Sequence, residues 1–321
     1  MSINKIASKI QVISITKILP FVVFMTWFIT GCKSIQENVT PPETHEIYVP
    51  STLKIFDDLP AQEKIMQVFA EAYPGKITGV AFLDNDWTML VNGTRFYFAN
   101  GRFLPEALRE QWGNYIPYDF YDYPWIGTHQ QRQLAYKNPV YSIGSSFLFD
   151  TLYRSATEDD SWALQEKYSF LGVKLLIHVD IKPHLERTAA QIRAAAKTDS
   201  SIIDWLSELQ TGVSNYGWSW RPIAGTSRRS NHSYGTAIDL LPVDLKGRKV
   251  YWRWDTGGNL RPSGSASGTD SNITVDDYFM PPEAVVKAFE DNGFIWGGKW
   301  DLIDTIHFEY RPEILLLNAH K

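Results

Sequence analysis

Two imidazoles and two carboxylates are gathered in two short stretches late in the chain. The first is Ser230-Asn231-His232-Ser233-Tyr234-Gly235-Thr236-Ala237-Ile238-Asp239, and the second is Trp300-Asp301-Leu302-Ile303-Asp304-Thr305-Ile306-His307-Phe308-Glu309. His and carboxylate side chains are what a catalytic zinc takes: three protein ligands, with a fourth position left for water. His232, Asp239 and His307 fill that set, with one Zn2+ ion expected. Asp304, three residues before His307, is placed to take a proton from an attacking water and pass it to a leaving amine.

Those ligands need a scaffold that is not a helix. A spacing of seven would suit two helical turns, but Gly235 and the apolar run over 236–241 argue for a turn followed by a buried strand. His232 is then expected on the turn, Asp239 on the strand and His307 on another strand. Extended chain is also expected over 173–179, 218–223, 249–254 (read as the neighbour of 236–241) and 305–310. Helices are expected over 187–196, 202–209 and 281–292, the last opened by Pro282 and closed at Gly293. The stretch 255–275 is dense in Gly, Ser, Asn, Asp and Thr and reads as a long substrate-contacting loop. Upstream, 60–72 has helical spacing, and 77–83, 87–91 and 95–99 read as strands. Asn92-Gly93 is a two-residue hairpin turn. Residues 101–128 show no period, and 145–172 read as helical. The fold class is α+β.

At 321 residues the chain is long enough for one large or two modest domains, and 44% hydrophobic residues can fill a sizeable core. A net charge of -5 gives no basic face for nucleic acid, and no phosphate-binding glycine loop points to a nucleotide. The chain has one cysteine, Cys32, so it has no intrachain disulfide and no Cys-based metal site. Lys5, Lys9 and Lys17 lead an apolar run over 18–29 that is short for a membrane span. That run ends in Ile29-Thr30-Gly31-Cys32, which resembles the lipobox of bacterial lipoproteins. The resemblance implies a signal peptide over 1–31, lipid attachment at Cys32 and a Pro-containing tether over 32–50. The expected location is then the bacterial cell envelope, anchored to a membrane and facing the periplasm or outside. Lys33, rather than Asp, follows the cysteine, so retention at the inner membrane is not signalled.

The two late stretches carry a further resemblance. Ser230-x-His232-x-x-Gly235-x-Ala237-x-Asp239 and Gly293-Phe294-x-Trp296-Gly297-Gly298-x-Trp300-x-x-x-Asp304-x-x-His307-Phe308-Glu309 resemble the two signatures of the zinc D,D-carboxypeptidase and L-alanyl-D-glutamate endopeptidase family. It implies a hedgehog/DD-peptidase-like domain with a small antiparallel sheet flanked by helices, acting on peptidoglycan peptides. It implies His232, Asp239 and His307 as zinc ligands and Asp304 as general base, where many carboxypeptidase members have Glu. Arg221 matches the family's Arg upstream of the first motif and is expected to hold an oxyanion or a substrate carboxylate. Ser230 and Trp300 are expected at the substrate, Arg228 and Arg229 are further candidates for a terminal carboxylate, and Glu309 is expected to support a ligand from behind. The resemblance covers about 200–315. The peptidase domain is drawn as 166–321, preceded by an N-terminal α+β region over 51–165 with no readable function. A non-catalytic, zinc-containing peptidoglycan-binding lipoprotein is the alternative. The chain contains neither His-x-His nor His-Glu-x-x-His, which counts against other zinc hydrolase families.

Overall fold

Helix α1 (Leu59–Ala72) opens where the Asp58 carboxylate accepts the Ala61 N–H. Pro60 lies in its first turn, where a missing N–H leaves no intrahelical bond unmade. Its apolar stripe, Ile65, Met66, Phe69 and Ala72, is buried. The computed structural model describes residues 58–118, 122–124, 145–209, 217–223, 228–251, 278–300 and 303–319. The leader, Cys32, the tether and the 255–275 loop lie outside these residues.

Strands β1 (Ile77–Leu83), β2 (Asp86–Val91), β3 (Thr94–Tyr97) and β4 (Leu104–Pro105) form an antiparallel sheet in sequential order. The Asn92-Gly93 turn joins β2 to β3 with positive φ at both residues, as expected of that dipeptide. A 3-10 segment, Glu106–Asn114, follows. Helices α2 (Phe147–Leu152) and α3 (Glu158–Trp162) confirm part of the helical reading of 145–172. The rest of that reading is corrected. Residues Gln165–Phe170 form strand β5, paired antiparallel with β6 (Val173–His178). Their two-residue turn, Leu171-Gly172, has positive φ at both positions, which a helix cannot hold.

Helices α4 (Lys182–Ala195) and α5 (Ser200–Glu208) come next, α5 being capped by the Asp199 carboxylate. Then β7 (Ala237–Asp239), α6 (Glu283–Glu290), β8 (Phe294–Trp296), β9 (His307–Tyr310) and α7 (Pro312–Ala319) complete the described elements. The last sheet is antiparallel in the order β7-β9-β8. The expected partnership of 249–254 with β7 is corrected for 249–251, while 252–254 lie outside the described residues: among these, β9 is the neighbour of β7. Lys249 and Tyr251 make only isolated bridges, to Tyr278 and Asp304. Helix α7 has no counterpart in the reading from sequence.

The chain is thus mixed helix and sheet with small antiparallel sheets. The described residues pack as one compact unit. One core runs through it, from Ile65 and Phe69 on α1, through Phe170 and Ile177 on the β5–β6 hairpin, to Phe289, Phe294 and Phe308. Tyr73, just after α1, packs edge-on to Tyr310 at 6.4 Å. Phe289 is the hub of the C-terminal half. Its ring stacks on Phe308 at 3.9 Å and meets Phe170 and Phe294 at 5.4 and 5.5 Å. Phe289→Ala should cost about 3–5 kcal/mol, read as a lowered midpoint in urea unfolding followed by circular dichroism.

Candidate metal centre

Register brings the site together. In the β7–β9 pair, Asp239 lies directly opposite His307, so their side chains share one face of the sheet. His232 arrives from the 3-10 turn Asn231–Tyr234, whose N-cap is Ser230. The Ser230 hydroxyl oxygen accepts the His232 N–H at 3.3 Å. Gly235 ends the turn in the left-handed region, φ 72°. A Cβ there would fall 1.9 Å from Gln165 Oε1 and 2.8 Å from His178 N, so glycine alone serves both the backbone and the space.

Three atoms converge. His307 Nδ1 lies 2.9 Å from Asp239 Oδ1. His232 Nε2 lies 3.2 Å from His307 Nδ1 and 3.3 Å from Asp239 Oδ1. The protons are accounted for on the far side of each ring. His232 Nδ1 faces the Gly217 carbonyl at 2.5 Å, and His307 Nε2 faces Glu309 Oε2 at 3.2 Å. Both partners only accept, so those nitrogens carry the hydrogens. The two inward nitrogens and the carboxylate oxygen then point lone pairs at one another in a nearly buried place, an arrangement that asks for a cation. Three tetrahedral ligands with bonds of about 2.0–2.1 Å would sit roughly 3.3 Å apart, so the observed separations fit a small divalent ion. His232, Asp239 and His307 are the metal-capable cluster among the described residues.

By itself the cluster eases this conflict by holding a second proton on His307, which a cation would have to displace. Burial alone would lower the His307 pKa, but the hydrogen bonds and charges of Asp239 and Glu309 outweigh it and push it up to about 10. Burial would raise the Asp239 carboxyl, yet the two imidazoles hold it far below the usual range. Glu309, likewise buried, is held down to about 2 by His307, Arg311 and Asn231.

Asp304 sits beside this triad. Its N–H donates to the Gly297 carbonyl at 3.0 Å, and its own carbonyl accepts the His307 N–H at 3.3 Å. A Cβ at residue 297 would come within 2.3 Å of the Asp304 carbonyl oxygen, so the Trp296-Gly297-Gly298 run is tied to the placement of this residue. Asp304 Oδ1 is enclosed and accepts no hydrogen bond. Burial pushes its carboxyl up to about 6; the Asp239 charge adds to this, while the His307 and His232 rings pull the other way.

The other expected site residues divide. Trp300 packs its ring 5.1 Å from that of His307. Arg221 is exposed, and its guanidinium has no ion-pair partner among the described residues. Its backbone is clamped by Ser233, whose hydroxyl accepts the Arg221 N–H at 2.9 Å and donates to its carbonyl at 2.8 Å. Ser230 is buried and holds the His232 turn. Arg229 pairs with Asp150 and lies 4.2 Å over the Trp220 ring, so it is engaged within the protein rather than with a substrate carboxylate. Sequence reasoning missed several supports. Asn231, inside the first motif, donates to Glu309 Oε2 at 2.7 Å. Ser161 donates to the Ser233 carbonyl at 2.6 Å, and Gln165 to that of Tyr234 at 3.3 Å. Only Asn231 had a signal, its position beside a ligand.

Residues 224–310 match the family described as D-alanyl-D-alanine carboxypeptidase. The match spans His232, Asp239, Asp304 and His307 and begins just after Arg221. It supports a carboxypeptidase-like peptidase domain, and the C-terminal part is consistent with a hedgehog/DD-peptidase-like fold. Residues 65–120 match a family described as a domain of unknown function. No curated protein and no solved structure matches the chain.

Behind the His232 turn, His178 is kept neutral. Its Nε2 donates to the Tyr153 carbonyl at 3.1 Å, its Nδ1 accepts the Asp180 N–H at 3.1 Å, and its N–H donates to the Gly235 carbonyl at 2.9 Å. Burial lowers its pKa to about 4, with Asp180 opposing only in part. The unfolded chain then binds more protons than the folded one between about pH 4 and 6.5. The contribution of His178 is therefore full above pH 6.5 and is lost as pH falls toward 4, about 3 kcal/mol in all. Thermal unfolding of His178→Gln across this window should show a shallower loss of stability on acidification than the wild type.

Proposed function

We propose that this chain is a zinc metallopeptidase that hydrolyses peptidoglycan stem peptides, as a D-Ala-D-Ala carboxypeptidase or an L-Ala-D-Glu endopeptidase. The observation that carries the reading is the convergence of donor atoms from His232, Asp239 and His307, the two imidazoles buried and the carboxylate half-buried, beside the enclosed Asp304 Oδ1. The residues fit the ion by donor type, by separation and by the hydrogen-bonded far side of each ring. A bound zinc would acidify a water and polarise a scissile carbonyl.

The remaining chemistry belongs to the side chains. Asp304, with its carboxyl raised to about 6 by burial, takes the proton of the attacking water and returns it to the leaving amine near neutral pH. Arg221, exposed and without an ion-pair partner among the described residues, lies at the side of the His232 turn and holds the developing oxyanion or a substrate carboxylate. Trp300 walls the cleft against His307, and Ser230 serves the site by fixing the turn. The Ile29-Thr30-Gly31-Cys32 motif supports lipid anchoring at Cys32 in the bacterial envelope, where such peptides are found.

The test uses purified protein, metal analysis and mass spectrometry of defined muropeptides. The wild type should bind one zinc and release D-Ala or split L-Ala–D-Glu; a folded protein that binds no metal and cleaves no muropeptide would sink the proposal. His307→Ala should lose the metal. Asp304→Ala should keep it and lose about 10²–10⁴-fold in turnover, whereas loss of metal in Asp304→Ala would show it to be a ligand.

A further inference from the structure

His307 ends a line of buried polar groups that runs away from the metal centre. Strand alternation puts residues 307 and 309 on the same side of β9. Residues 311 and 313 continue the line beyond the strand into the first turn of α7. Glu309 Oε2 accepts from His307, and Glu309 Oε1 accepts from Arg311 Nη1 at 3.2 Å. Arg311 Nε donates to Glu313 Oε1. Glu309, Arg311 and Glu313 are 6%, 7% and 0% exposed, so each charge depends on its neighbours rather than on water.

The line closes outside the C-terminal part of the chain. Glu313 Oε2 accepts the Tyr73 hydroxyl at 2.5 Å, and Glu313 Oε1 accepts the Tyr118 hydroxyl at 2.5 Å. Arg311 Nη2 donates to the Tyr118 oxygen. Both tyrosines belong to the 65–120 stretch, whose family match carries no function. Their rings are held in place. Tyr118 meets Phe69 and Phe103 edge-on at 5.3 and 5.5 Å, and Tyr73 meets Tyr153 and Tyr310 at 6.4 Å.

We propose that the 65–120 region is the outer part of the metal centre: Tyr73 and Tyr118 fix Glu313 and Arg311, these hold Glu309, and Glu309 sets the orientation and tautomer of His307. The four outer residues are positioning residues and make no contact with the ion. This inference rests on the metal-site reading above.

The experiment uses the full chain, zinc affinity from competition with a chromophoric chelator, and the visible spectrum of the cobalt(II)-substituted protein. Wild-type zinc binding is measured first, and its absence overturns the metal reading itself. Given that binding, Tyr73→Phe and Tyr118→Phe are each expected to weaken zinc affinity about tenfold and to shift the cobalt spectrum. Tyr97→Phe is the control. Its hydroxyl bonds Asp84 at 3.0 Å in the same region, so this variant should keep wild-type affinity and spectrum. Wild-type affinity and spectrum in both Tyr73→Phe and Tyr118→Phe would overturn the proposal, however far Tm falls. An equal loss in Tyr97→Phe would overturn it too, because affinity would then simply follow stability. Glu313→Gln is a third independent probe, with the same expected loss, should one tyrosine variant fail to fold.

Discussion

Three lone pairs cannot be left facing one another in a buried place, and much of the C-terminal architecture exists to make them do so. Asp239 and His307 meet because β7 and β9 pair in one register; a slip of one residue would turn one of them to the opposite face. His232 joins them because a four-residue turn is held on several sides. Ser230 holds its start, the Gly217 carbonyl holds its imidazole, and Ser161 and Gln165 hold its end. Without a cation the cluster is an electrostatic conflict, met by a proton on His307. With a cation it becomes a ligand set.

The same logic extends outward. The carboxylate that fixes His307 is itself buried, so it needs Arg311 and Asn231. Arg311 in turn needs Glu313, and Glu313 needs two tyrosines. Every added charge requires a partner until the line ends in neutral hydroxyls. That requirement ties α1 and the segment ending at Tyr118 to a site near the other end of the chain.

The inner part of this arrangement was legible in the sequence because it is written in side-chain type at short spacing. His232, Asp239, Asp304 and His307 could be picked out together, and Gly235 told turn from helix. The Asn92-Gly93 hairpin was legible for the same local reason. The outer part was not. Tyr73 and Glu313 are far apart in the chain, and no local pattern marks a tyrosine whose partner lies at the opposite end. Gln165–Phe170 read as helix because nothing within it announces a strand; its extended form comes from pairing with Val173–His178. Residues 249–254 read as a strand beside β7, yet the backbone at Lys249 and Tyr251 bridges Tyr278 and Asp304 instead.

The Tyr73–Glu313 contact spans 240 positions, and its consequence is one of timing. A segment that emerges early in synthesis must wait for nearly the last helix before its hydroxyl finds a partner, and such distant closures come late in folding. The metal-capable cluster is therefore supported in full only once the chain has closed on itself from one end of the described core to the other.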